Sequence, residues 1–217
     1  MADNQKKSIN AKSIINTLVL AIVAGLAIGV GGCTFLTLKP DNNLLGTFMF
    51  TAGLCTICFH GLNLFTGKMG YVVNEKPAYI LDLVIIWIGN FIGTYLMAEC
   101  VLHTRVAGSF DVAKAMCETK MNDSYSSLFI LGIFCGFLMF VAVDGYKSTK
   151  NAVILFMCVA AFIFCGFEHC IADMFYFSIA RAWNVEALVR VIIITFGNVL
   201  GGVLIPLARK LNPNKAA

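Results

Sequence analysis

The strongest constraint on this chain is how its charges are spaced. Six stretches of sixteen residues or more carry no Lys, Arg, Asp or Glu: 13–38, 42–67, 83–98, 124–143, 151–167 and 191–208. A bilayer-crossing helix needs roughly 20 apolar residues, so each stretch is most of one crossing, and 83–98 and 151–167 must borrow from their flanks. Runs such as LVLAIVAGLAIGVGG (18–32) are continuous, which excludes a membrane β-barrel with its alternating strands of about ten residues. Apolar residues make up 59% and charged residues 13%, and the mean hydropathy is +0.83. An ordinary soluble domain is excluded. The expected fold is an all-α membrane protein of six transmembrane helices, a single transmembrane domain over 1–217.

The net charge of +4 is small and scattered, so there is no basic stripe for nucleic acid. The basic residues set an orientation instead. With a cytoplasmic N-terminus, the inner side holds Lys6, Lys7, Lys12, Lys68, Lys76, Lys147, Lys150, Arg209, Lys210 and Lys215. The other side holds Lys39, Arg105, Lys114, Lys120, Arg181 and Arg190. That bias favours both termini inside the cell (plasma or inner) membrane. The first run is followed by Lys39-Pro40-Asp41 rather than a small-residue cleavage site, and reads as a retained helix. Of nine cysteines, seven lie in or beside apolar spans, where they behave as small hydrophobes. Only Cys100 and Cys117 lie near a long outer loop where pairing is open to them, and free thiols are the expected state. No His or Cys spacing suits a metal ion, and no cofactor is expected.

A repeat runs through the chain. Gly89-Asn90-Phe91-Ile92-Gly93 in the third span matches Gly197-Asn198-Val199-Leu200-Gly201 in the sixth. Each follows a span interrupted by polar residues. Three crossings end on the side opposite their start, so the second copy is inserted upside down. The expected halves are about 12–101 and 124–209, with a path between them near the midplane. In the first interruption, CFHGLNLFTGKMGYVV (58–73), polar residues surround Gly61 and Gly67; in the second, FCGFEHCIADMFYFSIA (164–180), Glu168, His169 and Asp173 follow Gly166. These read as two broken helices. Ionisable groups at this depth are costly against lipid, so the three are expected to face a pathway or one another.

The motifs LFTGK (64–68) and GFEHCIADM (166–174), with the two Gly-Asn pairs, resemble the formate/nitrite transporter family, over about Lys12 to Arg209. That resemblance implies an aquaporin-like inverted repeat and a homo-pentamer in membrane lipid, with one pore per protomer for a small monovalent anion. It implies that His169 is the central histidine and Thr66 the threonine of the inner broken helix, with Asn90 and Asn198 the asparagines of the repeat. By the same resemblance Leu64 and Phe65 form the inner gate, Phe50, Leu54 and Phe162 the outer slit, and Lys120 the lysine of the outer vestibule. Two residues depart from the family pattern. Asparagine is frequent where this chain has Asp173, and asparagine or serine endings occur where it has Lys68, so the proton affinity of the path is open.

Elementary electrostatics runs alongside. An anion cannot cheaply enter rings of Leu and Phe. A lysine at the mouth concentrates anions, and a central imidazole supplies a proton or a donor where water is stripped. A weak acid is then expected to cross as HA, its passage coupled to protonation at His169, with Thr66 and the asparagines offering hydrogen bonds. Formate or nitrite are the expected substrates, and hydrosulfide is the alternative within the family. A neutral-solute channel and a membrane enzyme are further alternatives. The first lacks Asn-Pro-Ala signatures here, and the second lacks a nucleophile with an evident base.

Overall fold

The computed structural model describes residues 11–106 and 110–212. Lys6, Lys7 and Lys215, counted above on the inner side, lie outside the described residues. Nine α-helices are found there: α1 (Ala11–Leu38), α2 (Asn43–His60), α3 (Phe65–Lys68), α4 (Tyr79–Leu102), α5 (Phe110–Asn122), α6 (Tyr125–Thr149), α7 (Val153–Phe164), α8 (Cys170–Ile179) and α9 (Val185–Leu211). A 3₁₀ turn, Met69–Val73, continues α3. No strand occurs among the described residues. Five helices, α1, α2, α4, α6 and α9, are long and apolar enough to cross a membrane. The run at 151–167 forms only the twelve-residue α7, and the chain resumes as the ten-residue α8.

Burial is reversed relative to a soluble protein. Ile15, Met157, Val153 and Phe196 are each at least 60% exposed, whereas Asn90, Asn198, Thr66, Asp173 and His169 are at most 2% exposed. Apolar side chains outside and polar ones inside is the pattern a bilayer solvent selects. The long helices pair α1 with α4 and α6 with α9. The G-N-x-x-G motifs lie in those two seams. A Cβ at Gly93 would strike Ile22 O, and one at Gly201 would strike Ile133 O; a bare glycine lets the backbones close.

Both interruptions predicted from the sequence are helix breaks. α2 ends on Gly61 at φ +64, and α7 is followed by Gly166 at φ +67. A left-handed residue stops a helix, and glycine adopts that geometry without a Cβ clash. Gly166→Ala is therefore expected to cost about 1–2 kcal/mol, read as a lowered Tm in detergent, although a Cβ there meets nothing within 4 Å.

The element the sequence did not announce is α5. It folds inside the expected outer loop, with Asp111 in its first turn, Lys120 in its last, and Ala113, Cys117 and Lys120 buried. Arg190 on α9 ties down its end: Nη1 donates to Lys120 O at 2.9 Å and to Asp123 O at 2.6 Å. Nη2 pairs with Glu186 at 2.9 Å, the i, i+4 pair that the sequence suggests.

Candidate functional site: a histidine at a helix break between two hollows

The two breaks are built alike. After Gly61 the chain runs extended, and Asn63 N–H donates to Leu20 O at 3.3 Å; after Gly166, Glu168 N–H donates to Leu131 O at 3.3 Å. Asn90 Oδ1 accepts the first N–H of α3, from Phe65, while its Nδ2 donates to Ala21 O and Asn63 O, each at 2.8 Å. Asn198 Oδ1 accepts the first N–H of α8, from Cys170, while its Nδ2 donates to Gly132 O and Glu168 O, again each at 2.8 Å. Both amides are thus spent on backbone that the breaks would otherwise leave orphaned. This corrects the expectation that Asn90 and Asn198 offer hydrogen bonds to a passing solute. They hold the frame of the site.

His169 occupies the residue before α8 and caps it. Ala172 N–H donates to His169 Nδ1 at 3.0 Å. A nitrogen that accepts carries no proton, so the hydrogen-bond network assigns the proton to Nε2. That Nε2 lies 2.8 Å from Thr66 Oγ1 on α3. The two short helices therefore meet through one imidazole–hydroxyl bond, and Thr66 keeps its own O–H to donate. The ring stacks on Phe162 with centroids 5.9 Å apart, and Phe162 meets Phe50 edge-on at 5.6 Å. Leu54 is buried on the same helix as Phe50. Leu64 stands at the residue before α3, the counterpart of His169, and is 1% exposed. Phe65 lines a separate hollow between α4 and α9 with Trp87, Ile192 and Phe196.

Two hollows flank this region, one beside α5 and α8 and one at the C-terminal end of α2. The outer one, about 230 Å³, includes Phe35, Lys39, Lys120, Phe162, Glu168, His169 and Asp173 in its wall. The inner one, about 280 Å³, includes Ile57, Leu62, Lys68, Tyr71, Lys147 and Lys150. The lysines assigned to opposite sides by charge counting thus line opposite hollows. Lys147 Nζ lies 4.7 Å from the Tyr71 ring centroid and Lys150 Nζ 5.7 Å from that of Tyr146. Neither lysine was singled out from the sequence as lining a path.

Lys120 is not the open anion lure expected of it. It is buried, with Nζ ion-paired to Glu168 and, at 2.9 Å, to Asp173. Burial alone would lower its pKa, but the Asp173 and Glu168 carboxylates outweigh that and hold it above the ordinary lysine value. Glu168, His169 and Asp173 line the same hollow rather than the outer surface of the helices, where ionisable groups in a membrane are least costly. Lys39, at the rim, has its pKa lowered by burial and then by the Lys120 ammonium. All nine cysteines are free, Cys100 and Cys117 included. Among the described residues no group of three His, Cys, Asp or Glu side chains is placed to hold a metal ion.

A model of the family described as formate/nitrite transporter matches residues 1–209. The chain belongs to the formate/nitrite transporter family. Among curated members of the formate/nitrite transporter family, the formate channel FocA of Haemophilus influenzae is 26% identical over 202 residues, covering 75% of this chain and 71% of that protein. The uncharacterized transporter YwcJ of Bacillus subtilis is 27% identical over 232 residues, covering 92% and 90%. In fold, the chain is similar to a pentameric formate channel with formate bound, with a TM-score of 0.79 at 24% identity, over 94% of this chain and 99% of that one. These relatives of the formate/nitrite transporter family are channels and transporters, which accords with a non-enzyme.

Proposed function

We propose that the chain is a passage across the cell membrane for small monovalent anions of weak acids, formate or nitrite, which cross the apolar layer as neutral HA. The observation that carries this is the placement of His169. Its ring stands in the wall of the outer hollow, bonds Thr66 on its other edge, and stacks on Phe162, which Phe50 meets edge-on, where an anion would lose its water. Removing water from a carboxylate-type anion favours its protonated form, so net transport is anion plus proton. The Thr66 hydroxyl, oriented by His169 Nε2–H, serves the solute between the Phe50–Leu54–Phe162 slit and Leu64. Proton gain at His169 itself requires the Ala172 cap to open, because Nδ1 is already an acceptor.

In this reading α7 and α8 together make the sixth crossing. The matched breaks support reading the halves 12–101 and 124–209 as an inverted, aquaporin-like pair. Five copies assemble with one path each, both termini cytoplasmic. Reconstituted liposomes test it: labelled formate and nitrite are expected to enter faster as outer pH falls, and stopped-flow water permeability is expected to match that of empty vesicles. Hydrosulfide in the same assay decides the alternative substrate. Water flux without anion flux would make this a neutral-solute channel.

A further inference from the structure

One buried charge at the outer hollow has no task in that passage. Asp173 lies in the first turn of α8, 1% exposed, in the wall that also holds His169. Its Oδ1 meets Lys120 Nζ at 2.9 Å, and its Oδ2 is buried without a protein partner. Glu168 takes the same ammonium, leaving two carboxyl groups against one cation.

The surroundings offer no second full counter-charge. From α5, Lys120 faces Asp173, and the Cys117 thiol of α5 and the Cys135 thiol of α6 lie within its electrostatic reach. On its own helix lie His169, Cys170 and Tyr176. Beyond α1, Lys39 shares the hollow from the rim. The guanidinium on α9, Arg190, is committed to the Lys120 and Asp123 carbonyls and to Glu186. On α4, Glu99 is taken by Arg181 at 2.6 Å.

Two carboxylates and one ammonium, each at most 8% exposed in the wall of the hollow, would leave a net negative charge, which is costly to bury. Carboxyl groups that share such a site hold one proton between them rather than both ionising. A proton there also turns an acceptor that nothing satisfies into a donor.

We propose that Asp173, beside the Glu168–Lys120 pair, holds one exchangeable proton at the outer hollow and passes it to the incoming weak-acid anion, so that this carboxyl is the proton donor of the chain. The proposal rests on the reading of the chain as a weak-acid passage. The Asp173 carboxyl O–H breaks and an O–H or S–H bond of the acid forms. Asp173 and Glu168 are then both ionised against Lys120, and Asp173 regains its proton from the outer aqueous phase as HA moves on past Phe162. His169 then acts as a neutral hydrogen-bond donor, in agreement with its capped Nδ1.

The test pairs infrared spectroscopy with flux in the full-length protein. Wild-type protein is expected to show a protonated-carboxyl stretch above the amide band that shifts in heavy water and is lost in Asp173→Asn, which keeps an oxygen for Lys120. In liposomes at neutral outer pH, Asp173→Asn is expected to lose formate uptake at least about tenfold. Its residual flux should fall about tenfold per unit of rising pH, tracking the free acid. A wild-type spectrum without that band, a band that survives in Asp173→Asn, or an unchanged flux profile overturns the proposal. Should the variant not fold, carbon-isotope labelling of Asp and Glu carboxyls in the wild type decides by whether the band moves. Wild-type protein that carries none of the three anions sinks the weak-acid reading instead, whatever the spectrum shows.

Discussion

Asn198→Leu is expected to cost about 3–6 kcal/mol of stability, and Asn90→Leu a similar amount. Each substitution removes three hydrogen bonds and leaves one N–H and one carbonyl of the break buried without partners, at about 1–3 kcal/mol apiece before relaxation, and takes a second bond from a carbonyl inside a helix. Neighbouring backbone relaxes poorly here. The Asn198 carbonyl and Cα face Gly136 with no room for a Cβ, and Asn90 O does the same to Gly25. A leucine fills similar space but supplies no donor or acceptor. The measurement is thermal unfolding in detergent, with a Tm drop of about ten degrees or more expected. A Tm within a degree or so of wild type would mean the breaks stand without their amides, and the role assigned to both asparagines would be wrong. Because the two frames use the same bonds, a large effect at one position and none at the other would also count against it.

Flux is where His169 should matter most. His169→Phe removes the cap on Ala172 and the bond to Thr66 together, so loss of function and loss of fold are confounded. His169→Asn separates them. An asparagine before a helix still accepts from the third residue, so α8 remains capped, but nothing reaches Thr66 as the imidazole does. A hydrogen bond to a charged or charge-sharing partner contributes about 1.5–3 kcal/mol. Formate uptake in His169→Asn is therefore expected to fall about ten- to a hundredfold, with Tm lowered by only about 5–10 degrees for the lost Thr66 bond. Full flux with an unaltered pH profile would remove the histidine from the path.

Much of this was visible in the chain's letters. Gly61 and Gly166, each among polar residues inside an apolar run, announce a helix that must stop, because only a left-handed glycine and satisfied backbone are tolerable there. His169 and Thr66 were identified from their motifs, and the structure brings them to 2.8 Å. Roles were harder than places. An asparagine in a membrane span must bond something, and sequence does not say whether that is a solute or the backbone of a neighbouring helix. Lys120 was misread for a related reason. A lysine in a loop looks solvated until a helix such as α5 folds the loop over and sets Nζ between Glu168 and Asp173. The helix itself was overlooked because 110–122 is polar and carries its buried face on only three residues. Phe65, expected in the inner gate, lines the hollow that Trp87 and Phe196 also line, and the side of a four-residue helix on which it stands cannot be read from periodicity.

The matched breaks differ at one node. Where the first frame presents Leu64, the second presents His169. Twin girders with unlike fittings make a duct that is mechanically even-handed but chemically lopsided: a traveller meets hydrocarbon at one joint and a protic ring at the other. Rectification would then reside in a single side-chain difference, and trading those two residues, at the cost of the imidazole cap on α8, should turn the preferred direction around in flux measured both ways.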